Sequence, residues 1–237
     1  MIGLMGEFLM KVSVVIPAAG QGKRMKANKN KQFLLLNDKP ILAHTIDIFE
    51  GRADIDEIIV VAQADEIDYC QSEIIHKYNF NKVSKIIEGG RTRQESVYNG
   101  LKAVSEKADF ILIHDGARPL LTNELIKHII TEVEKYQAVA IGVPVKDTIK
   151  IINRDKVIID TPTRDNLIAI QTPQAFKRNL ILQAYQKAFD DDYLGTDSSS
   201  LVERLNKEVK VIEGSYENLK ITTSEDLEFA ERIISRR

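Results

Sequence analysis

Apolar, β-branched runs separated by helical patterns constrain the fold of this chain more than any other feature. They occupy residues 11–16, 57–62, 82–88, 109–114 and 138–143. The first of them, KVSVVI, has the length and composition of a strand in a parallel sheet that helices cover on both faces. Between the first two runs, Leu42, Ile46 and Phe49 recur at helical spacing after Pro40. The alternation predicts an α/β fold with an open, mostly parallel sheet.

The remaining regular elements follow from the same patterns. We expect helices at residues 66–78, from about residue 91 to residue 104, from a cap at Thr122, through residues 185–189, at residues 201–205 and from a cap at Ser224. Further strands are expected at residues 209–212 and 219–222, whereas QTPQAF at residues 171–176 receives no predicted element. No linker or repeat divides the 237 residues, so a single domain over residues 1–237 is predicted.

Residues 145–168 break this pattern. They contain two short β-branched runs around the turn-like residues 153–155, which predict a hairpin too polar for the centre of a sheet. We call this segment the β-arm and expect it to project from the core. An exposed hairpin on a compact domain is commonly an edge used in association, so the β-arm predicts a homodimer.

Charge and cysteine content exclude several classes of function. Lysine and arginine number 33 and aspartate and glutamate 35, so no overall basic field predicts binding to nucleic acid. The single cysteine, Cys70, cannot form an internal disulfide, and no Cys/His cluster indicates a zinc site, which favours a reducing cytoplasm. The opening segment MIGLMGEFLM is too short and, with Glu7, too polar for a signal peptide or a membrane span. We expect it to be an extension, with Met10 as an alternative start.

The first predicted strand runs into a glycine-rich turn with fixed positive charge, PAAGQGKRM at residues 17–25. Its small residues leave the main chain open to a ligand, and successive N–H groups of such a turn form an anion cradle. These small residues are Ala18, Ala19, Gly20 and Gly22, and the basic residues that follow are Lys23, Arg24, Lys29 and Lys31. Neither a P-loop nor a dinucleotide fingerprint fits, because Met25 stands where the fingerprint needs its third glycine. The turn therefore predicts a phosphate-binding loop of another kind.

The carboxyl ends of the strands are the place where ligands of open α/β sheets collect. Four predicted strands end there in small or charged residues, in the segments PAAGQGKR, EGGRTRQES, HDGARP and VPVKDT. Basic residues outnumber acidic ones near these ends, which fits substrates with several phosphates; they are Lys23, Arg24, Lys31, Arg118, Arg164 and Lys220. His114 and Asp115 lack a nucleophile of the GxSxG type, so hydrolase chemistry is disfavoured. Asp115 is better suited to interact with Mg²⁺ or with a nucleotide.

Six motifs in the same order carry a resemblance to a known family. They are PAAGQGKRM with the downstream pair Lys31-Gln32, EGGRTRQESVYNGL, HDGARP, VPVKDTIK, QTPQAF and EGSYENLKIT. From Met10 onward the chain resembles the 2-C-methyl-D-erythritol 4-phosphate cytidylyltransferases of the non-mevalonate isoprenoid pathway. The resemblance implies a nucleotidyltransferase-type, Rossmann-like sheet and a Mg²⁺-dependent homodimer. It also implies that a protruding β-arm completes the active site of the neighbouring subunit.

The reaction that the resemblance implies joins CTP to 2-C-methyl-D-erythritol 4-phosphate. A phosphate oxygen of that substrate attacks the α-phosphorus of CTP, which gives 4-diphosphocytidyl-2-C-methyl-D-erythritol and pyrophosphate. Since a phosphate is already anionic near neutral pH, no general base is required, and positioning and charge neutralisation account for catalysis. The resemblance leaves two alternatives open. One is a ribitol-5-phosphate cytidylyltransferase, and the other is a catalytically silent nucleotide-binding regulatory protein.

The same resemblance assigns roles to particular residues. Arg24 and Lys31 stabilise the transition state and the departing pyrophosphate. The CTP-binding positions are Ala18, Ala19, Gly20, Gly22, Gly90, Ser96 and Asp115. The substrate-binding positions are Arg118, Thr148, Arg164, Thr172, Thr196 and Lys220, of which Thr148 and Arg164 lie on the β-arm and would act across the dimer. Mg²⁺ would be held mainly by the phosphates of CTP, with Asp115 as a candidate ligand.

One departure from the family pattern concerns the segment that carries Thr196. Residues 196–199 read TDSS, whereas many members of the family have TDDA. The second acidic residue is therefore missing here, which weakens the assignment of Thr196 to the substrate.

Overall fold

The computed structural model describes residues 10–20 and 30–237. Its strands, in chain order, are β1 (Val12–Pro17), β2 (Leu35–Leu36), β3 (Lys39–Pro40), β4 (Glu57–Ala62), β5 (Val83–Glu88), β6 (Phe110–Ile113), β7 (Ala138–Pro144), β8 (Ile151–Ile152), β9 (Ile158–Asp160), β10 (Ile168–Lys177) and β11 (Lys210–Glu213). Its α-helices are α1 (Ile41–Glu50), α2 (Ile67–Tyr69), α3 (Arg93–Ala103), α4 (Asn123–Tyr136), α5 (Arg178–Asp190), α6 (Ser198–Glu203) and α7 (Ser224–Ile234). Short 3-10 turns occupy Lys31–Phe33, Ala64–Glu66 and Arg164–Asn166, and a π-helical turn occupies Cys70–His76.

The central sheet has seven strands in the order β11-β7-β10-β6-β1-β4-β5. β1 pairs in parallel with β4 and β6, β4 with β5, and β7 with β11. The prediction of an α/β fold with an open, mostly parallel sheet is therefore confirmed. Only β10 runs antiparallel, between β6 and β7. Its register shifts between Gln171 and Gln174, where Pro173 has no N–H to donate to the ladder.

Helices cover both faces of this sheet because consecutive residues of each strand point to opposite faces. Val14 and Ile16 of β1 pack with apolar residues of α1 and α4, whereas Val15 packs on the other face with α3 and α5. A third apolar cluster lies beneath α7 and includes Leu36 and Ile221. None of the helices in the described part of the chain is long and apolar enough to cross a membrane.

The β-arm contains the predicted hairpin, since β8 and β9 form a separate two-stranded antiparallel sheet. Seven of its large aliphatic side chains are between 41% and 62% exposed; they are Ile149, Ile151, Ile152, Val157, Ile158, Ile159 and Ile168. The β-arm of this chain therefore leaves an apolar surface in contact with solvent.

Several local predictions are corrected by the structure. The last helix is capped by Thr223 rather than Ser224, because the Thr223 side chain accepts from the backbone N–H of Asp226 and the Asp226 carboxylate accepts from that of Thr223. No strand forms at residues 219–222, where the chain passes the end of the sheet and the Ile221 N–H donates to the Ala117 carbonyl at 2.9 Å. The helix expected at residues 66–78 is present but irregular: it begins as α2 at Ile67 and continues directly into the π-helical turn Cys70–His76. The helix expected at residues 201–205 is α6, which begins earlier, at its Asp197 cap.

Candidate active site

The carboxyl ends of β1, β4, β5 and β6 meet at one edge of the sheet and form a cleft of about 690 Å³. Because β1, β5 and β6 run in the same direction, the segments after them leave the sheet together. The described residues that line the cleft include Pro17, Ala18, Ala19, Gly20, Lys31, Gln32, Gln63, Gly90, Thr92, Arg93, Ser96, Asp115, Gly116, Ala117 and Lys220. The fourth predicted segment, VPVKDT after β7, does not reach this cleft, because β10 separates β7 from β6.

One wall of the cleft is main chain packed too closely for larger side chains. The N–H of Ala18 donates to the Val61 carbonyl at 2.7 Å, and that of Gly89 donates to the Ala62 carbonyl at 2.8 Å. A Cβ on Gly89 would lie 2.5 Å from the Ala19 Cβ and 2.9 Å from the Ser96 Oγ, so only glycine fits there. This wall offers a ligand backbone groups and almost no side-chain bulk.

The Ser96 hydroxyl fixes the loop between β5 and α3. It accepts a hydrogen bond from the N–H of Gly90 at 3.0 Å and donates to the Thr92 carbonyl at 2.9 Å. Thr92 is the cap of α3, and its side chain accepts from the N–H of Glu95. The start of α3, and with it Arg93, is thereby held at the rim of the cleft.

Lys31 and Gln32 connect the first strand end to the segment that carries Lys220. The Lys31 Nζ donates to the Ile221 carbonyl at 3.1 Å, and the Gln32 Nε2 donates to the Ala18 carbonyl at 2.6 Å. Gln32 is buried, so its bond to Ala18 is shielded from water. The pair therefore holds the small-residue wall and the Lys220 segment on either side of one cleft.

Asp115 lies at the end of the cleft with three cationic side chains around it. Arg93 donates to its Oδ1 from Nη2 at 2.9 Å and from Nε at 3.2 Å, and Lys220 donates to its Oδ2 at 2.7 Å. The Arg118 Nε lies 3.9 Å from the same Oδ2. We call Arg93, Arg118 and Lys220 the cation cluster. With one carboxylate between them, these three charges leave an excess of positive charge that suits an anionic ligand.

The cation cluster also determines the protonation state of Asp115. Burial raises the pKa of this carboxyl, but the charges of Arg93 and Lys220 and the hydrogen bond from Lys220 outweigh burial and hold the pKa well below its ordinary value. Asp115 is therefore ionised over the whole physiological pH range.

A chain of hydrogen bonds behind the cleft orients Asp115. The Asp115 N–H donates to the Thr172 Oγ1 at 3.0 Å, and the Thr172 Oγ1 lies 3.3 Å from the His114 Nδ1. The His114 Nε2 lies 3.0 Å from the Arg118 carbonyl, which can only accept. His114 must then carry its proton on Nε2, so that the Thr172 hydroxyl donates to Nδ1. Burial lowers the pKa of His114 to about 4 and keeps this ring neutral.

The buried neutral His114 predicts a measurable dependence of stability on pH. Its ordinary pKa is 6.5 and its folded pKa is about 4, so between these values the unfolded chain binds a proton that the folded chain does not. The stabilisation is complete above pH 6.5 and is lost as the pH falls towards 4, by up to about 3 kcal/mol. Urea unfolding at fixed protein concentration should show this loss in wild type and a smaller loss in His114→Gln.

His128→Gln is the matched control, because His128 is an exposed histidine of α4. Its stability should follow that of wild type across the same pH range. If His114→Gln and wild type lost stability in parallel between pH 6.5 and 4, the assignment of a neutral, buried His114 would be wrong.

The structure brings many of the predicted site residues together. Those that line the cleft are Ala18, Ala19, Gly20, Lys31, Gly90, Ser96, Asp115 and Lys220, and Arg118 and Thr172 lie directly behind Asp115. Thr148, Arg164 and Thr196 are exposed and are not among the residues that line this cleft. Gly22 and Arg24 lie outside the described residues.

Arg93 was not among the predicted site residues, although it forms two of the hydrogen bonds to Asp115. Its motif contains a second arginine, Arg91, and spacing alone does not separate the two. A signal was present, however, because Thr92 and Glu95 have the spacing of a capping box. This spacing predicts that the helix begins at Arg93, so that Arg93 lies one turn before the buried Val97.

Comparisons with known proteins agree with this architecture. The model of the family described as "IspD: 2-C-methyl-D-erythritol 4-phosphate cytidylyltransferase" matches residues 12–236. The chain is 50% identical over 231 residues to the 2-C-methyl-D-erythritol 4-phosphate cytidylyltransferase of Alkaliphilus oremlandii, covering 98% of both chains. It is 48% identical over 227 residues to that of Caldanaerobacter subterraneus, covering 96% of this chain and all of the relative.

Solved structures give the same result. The 4-diphosphocytidyl-2C-methyl-D-erythritol synthase of Anaerococcus prevotii has a TM-score of 0.84 at 36% identity, over 96% of this chain and 100% of that one. The enzyme of Francisella tularensis has a TM-score of 0.80 at 30% identity, over 94% and 99% of the two chains. The chain therefore belongs to the 2-C-methyl-D-erythritol 4-phosphate cytidylyltransferase (IspD) family and is a nucleotidyltransferase of isoprenoid precursor synthesis.

Proposed function

We propose that the cleft between the small-residue wall and the cation cluster is where CTP and methylerythritol phosphate react. The observation that carries this proposal is the convergence of three cations on Asp115 in the same cleft whose wall is bare main chain. A phosphate oxygen of the substrate forms a bond to the α-phosphorus of CTP. The bond from that phosphorus to the bridging oxygen breaks, and pyrophosphate leaves with its electron pair.

CTP would occupy the small-residue wall. The main-chain N–H groups of Ala19 and Gly20 suit its phosphates, since successive N–H groups bind anions, whereas that of Ala18 is bonded to the Val61 carbonyl. The loop that Ser96 fixes, with Gly90, would then lie beside the base. Because a Cβ on Gly89 would clash with Ala19, this wall has the close packing that a flat ring and an extended triphosphate need.

The substrate phosphate would bind at the cation cluster. The ammonium of Lys220 is partly exposed and faces the cleft, whereas Arg118 is nearly buried and donates to the Asn218 carbonyl at 2.6 Å. Lys220 is therefore the member best placed to contact a phosphate, and Arg118 adds charge from behind. The only histidine near Asp115 among the described residues is His114, which is buried with both ring nitrogens engaged. This arrangement supports a mechanism without a general base.

Enzymes of this family use a divalent cation, and the cleft fits Mg²⁺ only as a partner of bound phosphates. Within residues 10–20 and 30–237, no group of three or more His, Cys, Asp or Glu side chains could hold a metal ion. Asp115 is the single carboxylate among the cleft residues named above, and both of its oxygens accept hydrogen bonds from cations. Mg²⁺ usually binds through substrate phosphates with one or two carboxylates. When bound, it would neutralise phosphate charge, with Asp115 as the one candidate protein ligand.

A homodimer would complete this site through the β-arm. The exposed isoleucine and valine side chains of the β-arm favour association, because burying them removes apolar surface from water. Thr148 and Arg164 lie on the β-arm outside the cleft of their own subunit, and Arg164 donates to the Lys146 carbonyl at 3.2 Å. Across a dimer, both side chains could serve the cleft of the partner.

Pyrophosphate release tests the proposed reaction. We expect release from CTP with methylerythritol phosphate, and none when either compound is omitted. Ribitol 5-phosphate in place of methylerythritol phosphate, and UTP in place of CTP, are the control substrates. Equal turnover with ribitol 5-phosphate would contradict the substrate assignment, and no release with any pair would indicate a silent nucleotide-binding protein.

A further inference from the structure

We propose that Arg93 is a positioning residue that acts on the substrate site through Asp115. In this role, its guanidinium fixes the Asp115 carboxylate, and the carboxylate in turn fixes the Lys220 ammonium in the cleft. The inference rests on the proposed function, because it takes the cation cluster to be the binding site of the substrate phosphate.

The hydrogen bonds around Asp115 support this order of action. Arg93 donates twice to one carboxylate oxygen, Oδ1, from Nη2 at 2.9 Å and Nε at 3.2 Å, and Lys220 donates to the other oxygen, Oδ2, at 2.7 Å. The carboxylate is therefore a bridge between the two cations. Its side chain is 10% exposed, whereas those of Arg93 and Lys220 are 34% and 36% exposed. The anion is the fixed centre of the arrangement. Both cations remain partly open to the cleft, and Lys220, which makes one hydrogen bond to the carboxylate where Arg93 makes two, is the freer of the two.

The position of Arg93 on its helix is consistent with a specific role. Arg93 is the first residue of α3, where the unpaired N–H groups and the helix dipole favour negative charge and disfavour a cation. Asp115 compensates for this placement. Asp115 would also be poorly placed alone, since a buried carboxylate is costly without hydrogen-bonded partners, and Arg93 and Lys220 bond to its two oxygens.

Removal of Arg93 would change the site in two ways, and both would weaken binding of the substrate phosphate. The carboxylate would lose the two bonds that fix its plane, so Lys220 would be held less exactly. Asp115 would also pair with Lys220 without competition from Arg93, which would make the ammonium less available to a phosphate. Arg93→Ala should therefore raise the KM for methylerythritol phosphate by about 10-fold, with a smaller change in the KM for CTP.

A double-mutant cycle tests whether the effect passes through Asp115. The four proteins are wild type, Arg93→Ala, Asp115→Asn and the double variant, and the quantity compared is kcat/KM for methylerythritol phosphate. If Arg93 acts through Asp115, its removal costs about 10-fold in the wild-type background and less than about 2-fold in the Asp115→Asn background. An equal loss in both backgrounds would mean that Arg93 contacts the substrate directly, and the inference would be overturned.

Chemical rescue provides a second readout that a merely structural role would not give. Guanidinium ion, at concentrations far below those that denature proteins, should restore part of the activity of Arg93→Ala but none of that of the double variant. Arg93→Lys keeps the charge but not the planar fork, so its loss should be intermediate. If guanidinium rescued neither protein and Arg93→Lys were as impaired as Arg93→Ala in unfolding midpoint as well as in kcat/KM, the role would be structural.

Controls separate failure of this inference from failure of the proposed function. Lys102→Gln removes a positive charge from the exposed last turn of the same helix, and its kinetics should stay within about 2-fold of wild type. If Asp115→Asn itself were fully active, the proposed substrate site would be wrong, and Arg93 could not act through it. If Asp115→Asn were impaired but the cycle were additive, only the role of Arg93 would be overturned.

Discussion

Lys31→Ala and Arg24→Ala are each expected to lower kcat by about 10²- to 10³-fold while leaving the KM for CTP near the wild-type value. Both side chains are assigned to charge that develops in the transition state and on the departing pyrophosphate. Lys31 lines the cleft, and its backbone segment is fixed by the bond from Gln32 to Ala18. Arg24 lies outside the described residues, so the same expectation for Arg24 rests on its motif alone. Steady-state kinetics with CTP and methylerythritol phosphate, varied in turn, measure the two parameters separately.

Lys127→Ala is a suitable control, because Lys127 is an exposed lysine of α4 that is not among the residues lining the cleft. Its kcat should equal that of wild type. An unchanged kcat with a raised KM for CTP, in either Lys31→Ala or Arg24→Ala, would contradict the assignment. That pattern indicates binding that is equally strong in the ground state and the transition state.

Recovered activity in mixed dimers is the second large effect that we expect. Arg164→Ala and Lys220→Ala should each be weak, because each loses a contact to the substrate phosphate. If Arg164 serves the cleft of the partner, a dimer with one chain of each type contains one doubly damaged site and one intact site. When the two proteins are unfolded and refolded together, about half of the dimers are mixed, so activity should reach about a quarter of wild type. Arg164→Lys should retain partial activity, since an ammonium supplies charge without a bidentate contact.

The chain offers a matched control for this experiment. Thr148 and Arg164 lie on the same β-arm, so a dimer that mixes Thr148→Ala with Arg164→Ala has one damaged arm at each site. This pair should show no recovery beyond the activities of its two parents. If mass measurement showed that Arg164→Ala and Lys220→Ala had formed mixed dimers but activity did not return, both residues would serve one subunit, and the β-arm would act in association alone.

Local sequence patterns predicted six of the seven strands of the central sheet, all but β10, and most of its helices. The strands β1, β4 and β7 are apolar runs rich in β-branched residues, and nearly all of their residues are buried, as such a run predicts without reference to the rest of the chain. The predicted Thr122 cap of α4 is also confirmed. It could be predicted from local sequence, because a helix cap depends on residues only three positions apart. Motif order was also sufficient to identify the family.

Pairing between distant segments was decided only by the tertiary structure. The direction of β10 could not be predicted, because antiparallel pairing with β6 and β7 is a long-range contact and Pro173 obscures the strand pattern. Residues 219–222 have the composition of a strand but lie beyond Glu213, the last residue of β11 that pairs with β7. The Ile221 N–H donates to the carbonyl of Ala117, which lies in a loop.

The candidate site, too, was predicted in part from the sequence and decided in part by the tertiary structure. Small residues after β1 and basic residues in the motifs indicated a phosphate-binding cleft, because turn chemistry and charge are local properties. The spacing of Thr92 and Glu95 places Arg93 at the start of α3, but only the crossing from β5 to β6 brings Arg93 onto Asp115. The proton position on His114 depends on Thr172 and on the Arg118 carbonyl, so it too follows from the fold. Thr148 and Arg164 remain predictions, because the cleft that they are expected to complete belongs to a second chain.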